Sequence, residues 1–227
     1  MNSRARFALA ALAALPLPLC ACSNGDAKTP ATKADEDVVW VLDNTQSIGG
    51  QTPMVLGEPA VTDGALCFDG VDDALIFPAH PLAGLATFTV EVRFFPDSTG
   101  PVAQRFIHMQ EASTVNRALI ETRIDPDASW HLDTYLRSSA AELTLVDATK
   151  THPADTWHWA ALSYDGGTQR HFVDRVEELS GEVAFAPLAP GQMSLGTRLN
   201  QVDWFKGCAS ELRVHARALA SEELSHD

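Results

Sequence analysis

A chain of 227 residues, 45% of them apolar, suffices for one ordinary core with flanking segments. Its formal net charge of -14 is repelled by phosphate backbones and anionic lipid heads, so nucleic acid is not an expected partner. Scattered acids of this kind serve solubility, and only local clusters carry an argument.

Arg4 and Arg6 give the chain a positive start, and Phe7 to Leu19 is an apolar run rich in Ala and Leu, interrupted by Pro16 and Pro18. The run is too short to span a membrane and has the form of a signal-peptide core. Leu19-Cys20-Ala21-Cys22 resembles the bacterial lipoprotein cleavage box, in which a small residue precedes the modified cysteine. The resemblance implies a signal over residues 1–21 and acylation of the thiol and new amino terminus of Cys22. Cys20 is the poorer candidate, because Leu19 precedes it. Ordinary secretion with cleavage nearby is the competing reading. Residues 22–37 are small and polar, bury too little to offset ordering entropy, and are expected to be a flexible tether. Together these features predict a protein of the bacterial cell envelope, lipid-anchored to a membrane and facing the periplasm or the exterior.

From Val38 onward, short apolar runs alternate with Gly, Pro, Asn and Asp. Val38–Leu42 is one run, and Phe88–Phe94 alternates apolar and polar residues with the period of a half-buried strand. Similar runs occupy Arg105–Gln110, Ala118–Ile124, His131–Arg137 and Leu143–Val146. Others occupy Trp157–Tyr164, His171–Val176, Gln192–Leu195 and Glu211–His215. Only Ala218–Leu224 suggests a helical turn, with Ser221 as its cap. Many short strands without a fixed repeat predict an all-β sandwich or barrel over 38–227, with sequential strands antiparallel.

Cys67 and Cys208 both lie in strand-like segments. In an oxidising compartment such a pair is expected to be a disulfide; two buried free thiols are the alternative. A bridge closing so long a loop stabilises a fold by about 3–5 kcal/mol in the chain-entropy picture. A zinc site is not expected, since neither cysteine has a close Cys or His neighbour in sequence.

Three segments carry a family resemblance. The first is Ala65-Leu66-Cys67-Phe68-Asp69-Gly70-Val71-Asp72-Asp73-Ala74-Leu75, followed by Pro78 and Phe88-Thr89-Val90-Glu91. The second is Trp157-His158-Trp159-Ala160-Ala161-Leu162-Ser163-Tyr164-Asp165-Gly166, followed by Phe172-Val173-Asp174. The third runs from Leu195-Gly196 through Phe205-Lys206-Gly207-Cys208-Ala209-Ser210-Glu211-Leu212-Arg213-Val214 to Arg217-Ala218-Leu219. In this order and span they resemble the laminin-G-like jellyroll domain of the concanavalin A-like lectin and glucanase superfamily. The resemblance implies a two-sheet antiparallel jellyroll sandwich, with the strand after Gly64 near the strand after Gly207. Where the family has Asp-Gly at a turn, this chain has Asp174-Arg175, which predicts a different turn type. Ser210-Glu211 stands where the family has an acidic pair, which weakens any inherited metal site. The fold hosts lectins, adhesins, lyases and hydrolases and does not by itself fix a function.

Polar and charged side chains alternate within the central strands. His108 and Gln110 share a strand face, as do Arg117, Glu121 and Arg123 on the next strand, and His131, Asp133, Tyr135 and Arg137 on the third. Glu91 and Arg93 do so on an earlier strand, and His171 lies on a later one. Aligned on one concave sheet face, these residues would suit sugar hydroxyls and uronate carboxylates, with Arg as the carboxylate clamp. Tyr135 and Trp130 would offer ring faces. A solvated outer face is the competing reading; Arg, His, Glu, Asp, Gln and Tyr, rather than Lys, Thr and Ser, favour a site.

Two kinds of chemistry suit the same residues. A lyase would use Arg123 or Arg137 to neutralise a uronate, with His108 and Tyr135 as base and acid. A hydrolase would use Glu121 and Asp133 as its carboxylate pair. His158, beside two tryptophans, is expected to be structural. Asp69, Asp72 and Asp73 crowd around Gly70 and make calcium a candidate ligand, with turn formation the alternative. The leading expectation is a carbohydrate-binding envelope domain whose partner is a glycan or glycoprotein. A small polysaccharide-active enzyme and a structural envelope protein are the alternatives.

Overall fold

A computed structural model describes residues 37–139 and 141–227. The expectations for residues 1–21, for Cys22 and for the tether up to residue 36 fall outside the described residues. The strands, in chain order, are β1 (Val38–Val41), β2 (Met54–Leu56), β3 (Ala60–Thr62), β4 (Ala65–Asp69), β5 (Ala74–Phe77), β6 (Phe88–Pro96), β7 (Ala103–Glu111) and β8 (Arg117–Ile124). They continue as β9 (Ser129–Arg137), β10 (Glu142–Pro153), β11 (His158–Tyr164), β12 (Thr168–Val173), β13 (Val176–Glu182), β14 (Gly191–Leu195) and β15 (Lys206–His215).

These strands form two antiparallel sheets. An eight-stranded sheet runs β13-β12-β11-β6-β15-β4-β3, with β1 also pairing β15. A seven-stranded sheet runs β10-β9-β8-β7-β14-β5-β2. Alternation decides the faces. On β6, Phe88, Val90, Val92 and Phe94 are fully buried between the sheets, and Thr89, Glu91 and Arg93 take the opposite side. Phe106, Trp130 and Phe205 meet Phe94 in the middle, with Phe94 and Phe106 stacked at 4.9 Å and Phe94 edge-on to Trp130 at 5.0 Å. Each such side chain removed from water stabilises the sandwich by about 1.5–3 kcal/mol.

The outer face of the eight-stranded sheet is roofed by the end of the chain. Leu219 and Leu224 bury themselves against Ala161 and Phe172. Arg93 binds Asp227 through Nε at 2.7 Å, and the amide of Ser225 donates to Glu91 at 2.6 Å. Ser221–Glu223 is a single 3-10 turn, and Ala220 rather than Ser221 occupies its cap position, with its amide held by the Glu223 carboxylate at 2.9 Å.

Cys67 and Cys208 are bonded, directly opposite one another on β4 and β15, with Cα atoms 4.0 Å apart. The Asp174-Arg175 turn corrects the sequence expectation. Both residues are left-handed, φ 47° and 70°, as in the type I′ hairpin an Asp-Gly pair would make. The strain is met by contacts. The Asp174 carboxylate accepts from the amide of Trp159 at 2.8 Å and bonds His158 Nδ1 at 2.7 Å, and Arg175 donates to the carbonyl of Ser221. His158 also contacts the carbonyl of Pro153, which gives that ring its structural place.

Candidate functional site

The outward face of the seven-stranded sheet carries the polar residues of β7, β8 and β9 in cross-strand rows. Gln110, Arg117 and Arg137 form one row, His108, Leu119 and Tyr135 the next. Arg105, Glu121 and Asp133 form a third, and Arg123 faces His131 beyond it. Their indentation is a shallow pocket of about 210 Å³, lined by Arg105, Arg117, Glu121, Arg123, Asp133 and Tyr135, with Leu119, Thr144 and Arg198 completing the wall.

Charge is distributed unevenly within it. Arg123 grips Asp133 Oδ2 from both Nε (3.1 Å) and Nη2 (2.6 Å), and its Nη2 reaches Glu121 at 3.5 Å. Arg105 bonds Glu121 Oε1 through Nε at 2.8 Å and pairs with Asp203. Burial and then the neighbouring Asp133 push the Glu121 carboxyl upward, against the pull of Arg105 and Arg123. The guanidinium of Arg117 lies over the Tyr135 ring, 4.8 Å from its centroid. The Tyr135 hydroxyl donates to Glu142 at 2.6 Å, and burial followed by that bond raises its pKa.

His108 is buried on this face and accepts the amide hydrogen of Leu199 at Nδ1, 3.0 Å away. Burial, then the charges of Arg198, Arg117 and Arg105, depress its pKa to about 3. The ring is therefore neutral, with its lone pair occupied and its proton on Nε2. Such a ring donates a hydrogen bond and is ill placed to accept a proton. Glu121 and Asp133 are direct cross-strand neighbours held by guanidinium groups, not carboxylates facing one another across a groove. This geometry suits binding better than the lyase or hydrolase roles those residues could fill.

Arg117, Glu121, Arg123, Asp133 and Tyr135 thus gather around one pocket, with His108 beside them and Gln110 and Arg137 in the adjoining row. Four sequence-predicted contributors do not join. Glu91 and Arg93 lie on the outer face of the other sheet under the chain terminus, where Glu91 also binds His215 Nε2 at 2.8 Å. His171 points between the sheets, with Nδ1 3.1 Å from Thr134 Oγ1. Trp130 is wholly buried and its indole donates to the carbonyl of Pro153, so it offers no ring to a sugar.

Two residues were not expected. Alternation back from Gln110 and His108 would put Phe106 and Gln104 on the pocket face. A bulge between Arg105 and Ile107 shifts the register, sending Phe106 into the core and Arg105 outward. Arg198 comes from the loop after β14, which periodicity cannot place. Gly196 starts that loop at φ 95°, where a Cβ would stand 2.7 Å from the Phe68 ring and 2.9 Å from the Asp73 carbonyl. Thr197 Oγ1 then donates to Val202, and the amide of Arg105 to Asp203, fixing the loop to the sheet.

The three acids near Gly70 do lie together, their ligand atoms within 4.8 Å of one another. Two of the three, Asp69 and Asp73, are engaged by backbone amides. Asp73 accepts the amides of Glu58 (2.6 Å) and Asp69 (3.0 Å), and Asp69 accepts those of Val71 (2.8 Å) and Asp72 (3.2 Å). That pattern is a hydrogen-bonded turn.

The architecture defines a two-sheet antiparallel sandwich with one sheet face roofed and a polar pocket on the other. A family model described as the concanavalin A-like lectin/glucanases superfamily matches residues 69–225, and the chain belongs to that laminin-G-like superfamily. Among solved structures it is similar to domain 4 of AbnA, a GH43 extracellular arabinanase from Geobacillus stearothermophilus, in complex with arabinotriose. That match has a TM-score of 0.62 at 20% identity and covers 82% of this chain and 94% of that one. The binding domain of botulinum neurotoxin DC in complex with SialylT matches with a TM-score of 0.60 at 10% identity, over 84% of this chain and 50% of that one. The chain thus spans about half the length of the neurotoxin domain. A heptameric SAP-like pentraxin from Limulus polyphemus matches at 0.50 and 13% identity, over 85% and 82%. These are likenesses of fold. A comparison with curated protein sequences finds no match.

Proposed function

We propose that this protein is a lipid-anchored carbohydrate-binding domain of a bacterial cell envelope, and that its glycan site is the pocket on the outward face of the seven-stranded sheet. The observation that carries the reading is the pocket itself. Ion pairs and a sheet-anchored loop hold Arg105, Arg123, Glu121 and Asp133 in fixed orientation, beside a half-buried tyrosine. Fixed donors and acceptors next to a ring are what sugar hydroxyls and a sugar's apolar face require. The superfamily and the sugar complexes of two neighbours of the same fold support the same direction.

The purified protein applied to a glycan array is expected to bind a subset of glycans, and Tyr135→Ala to weaken that binding, while Arg170→Ala on the other sheet leaves it unchanged. Equal binding by all three proteins would place the site elsewhere. Unsaturated-uronate absorbance appearing on incubation with a bound glycan would replace the binding reading with a lyase. For the anchor, a fatty-acid analogue should label the wild type and not Cys22→Ala; equal labelling of both contradicts lipidation there.

A further inference from the structure

We propose that the pocket selects a sugar bearing a carboxylate, which the guanidinium groups of Arg117 and Arg198 clamp with the Nε2–H of His108 as a neutral third donor. The inference rests on the glycan-binding reading and specifies what that glycan carries.

The pocket holds donors that the protein itself leaves unused. Four arginines and two carboxylates line the pocket. Arg105 and Arg123 are consumed by Glu121, Asp133 and Asp203. Arg198 makes no side-chain hydrogen bond or ion pair among the described residues, although it is half-buried. Arg117 donates only from Nη1, to the carbonyl of Val115 at 2.9 Å, and its Nε is buried without a partner. His108 Nε2, in a side chain that is 1% exposed, is likewise buried and short of a well-formed hydrogen bond, with the Gln110 side chain nearby. Leaving such donors unmet in a buried place is costly, and more so for charged groups.

All three groups lack the same thing, an acceptor, and they are neighbours. Arg117 and Arg198 line the same pocket, and the amide of Leu199, next to Arg198, donates to His108 Nδ1; burial and then the charge of Arg117 lower the pKa of Arg198. Two guanidinium groups without a carboxylate partner repel one another in a partly dry site, and a bound anion reverses that repulsion. The planar fork of arginine fits the two oxygens of a carboxylate in a bidentate manner. Around the clamp, Asp133, Glu121 and Thr144 remain to meet hydroxyls. The chain as a whole carries a net charge of -14, which disfavours polyanions that would need a long basic track.

The test is an array carrying uronate- and sialate-bearing glycans beside neutral and sulfated counterparts, followed by titration of the strongest hit as free acid and as methyl ester. Acidic sugars are expected to dominate, and esterification to weaken binding about 10-fold or more, the loss of a charge-assisted pair. Arg198→Gln and Arg117→Gln should each reproduce that loss for the acid and leave the ester nearly unaffected. His108→Asn keeps an acceptor for the Leu199 amide, so the fold survives, and should weaken the acid several-fold; thermal melts check that all three variants are folded. Neutral glycans bound as well as acidic ones, a preference for sulfated glycans, or an Arg198→Gln protein that binds the acid unchanged would each overturn the carboxylate while glycan binding stands. No glycan bound at all would overturn both.

Discussion

His108 shows how one residue couples the site to stability. Its pKa is held at about 3 in the folded protein against 6.5 for a free ring. Between those values the unfolded chain carries the extra proton, so stability is present above pH 6.5 and falls as pH drops toward 3. His171, depressed to about 4 mainly by burial between the sheets, acts in the same sense. His158 and His215 are raised by Asp174 and Glu91 and act oppositely, losing their contribution as pH rises through their folded pKa values. The expected outcome is that His108→Asn flattens the decline of melting temperature between pH 6.5 and 4. A variant that declines as steeply as the wild type would show that the ring is not held neutral. Its place on the polar face of β7 was legible in the sequence. Its chemical role was not, because tautomer and protonation depend on the Leu199 amide and on two arginines distant along the chain.

At the scale of elements, alternation told which side of its strand each residue takes, and it did so correctly along β8 and β9. It could not tell which sheet a strand joins or which side of that sheet is outermost. Glu91 and Arg93 obey the same period as Glu121 and Arg123, yet β6 lies in the other sheet and its outer face is roofed by residues 219–227. His171 obeys it too, and points inward. Arg105 was hidden by a bulge, and Arg198 by a loop. That loop depends on Gly196. Replacement by Ala forces a side chain into a left-handed position already crowded by Phe68, and should destabilise the protein by about 1–3 kcal/mol. Because Arg198 follows two residues later, the same variant should also lose affinity for the bound glycan. Unchanged melting and binding would show that the loop tolerates another path. Asp73, immediately before β5, makes a parallel case. Asp73→Ala strips partners from two backbone amides and should cost about 1–3 kcal/mol; a melt insensitive to it would contradict the turn assignment.

For the whole molecule, cysteine counting and three ordered motifs were enough to reach the sandwich, because hydrophobic alternation and a disulfide between distant strands both constrain topology strongly. Cys67 and Cys208 tie strands 141 residues apart in sequence. Reduction, or Cys67→Ser with Cys208→Ser, is expected to lower stability by about 3–5 kcal/mol, read as an earlier denaturation midpoint. An unmoved midpoint would mean that pairing of β4 with β15 alone closes the fold. Function was harder to reach, since the same sandwich serves many roles and only the decoration of one face distinguishes them. The end of the chain covers part of the outer face of the eight-stranded sheet, and the seven-stranded sheet presents the arginine-rich pocket where glycans are proposed to dock.

Amide chemical-shift mapping with a glycan taken from the array tests this most directly. Shifts concentrated on β7, β8, β9 and the loop at Arg198 are the predicted result. Shifts centred instead on the Asp69–Asp73 turn, or on β11 and β12 of the other sheet, would contradict it.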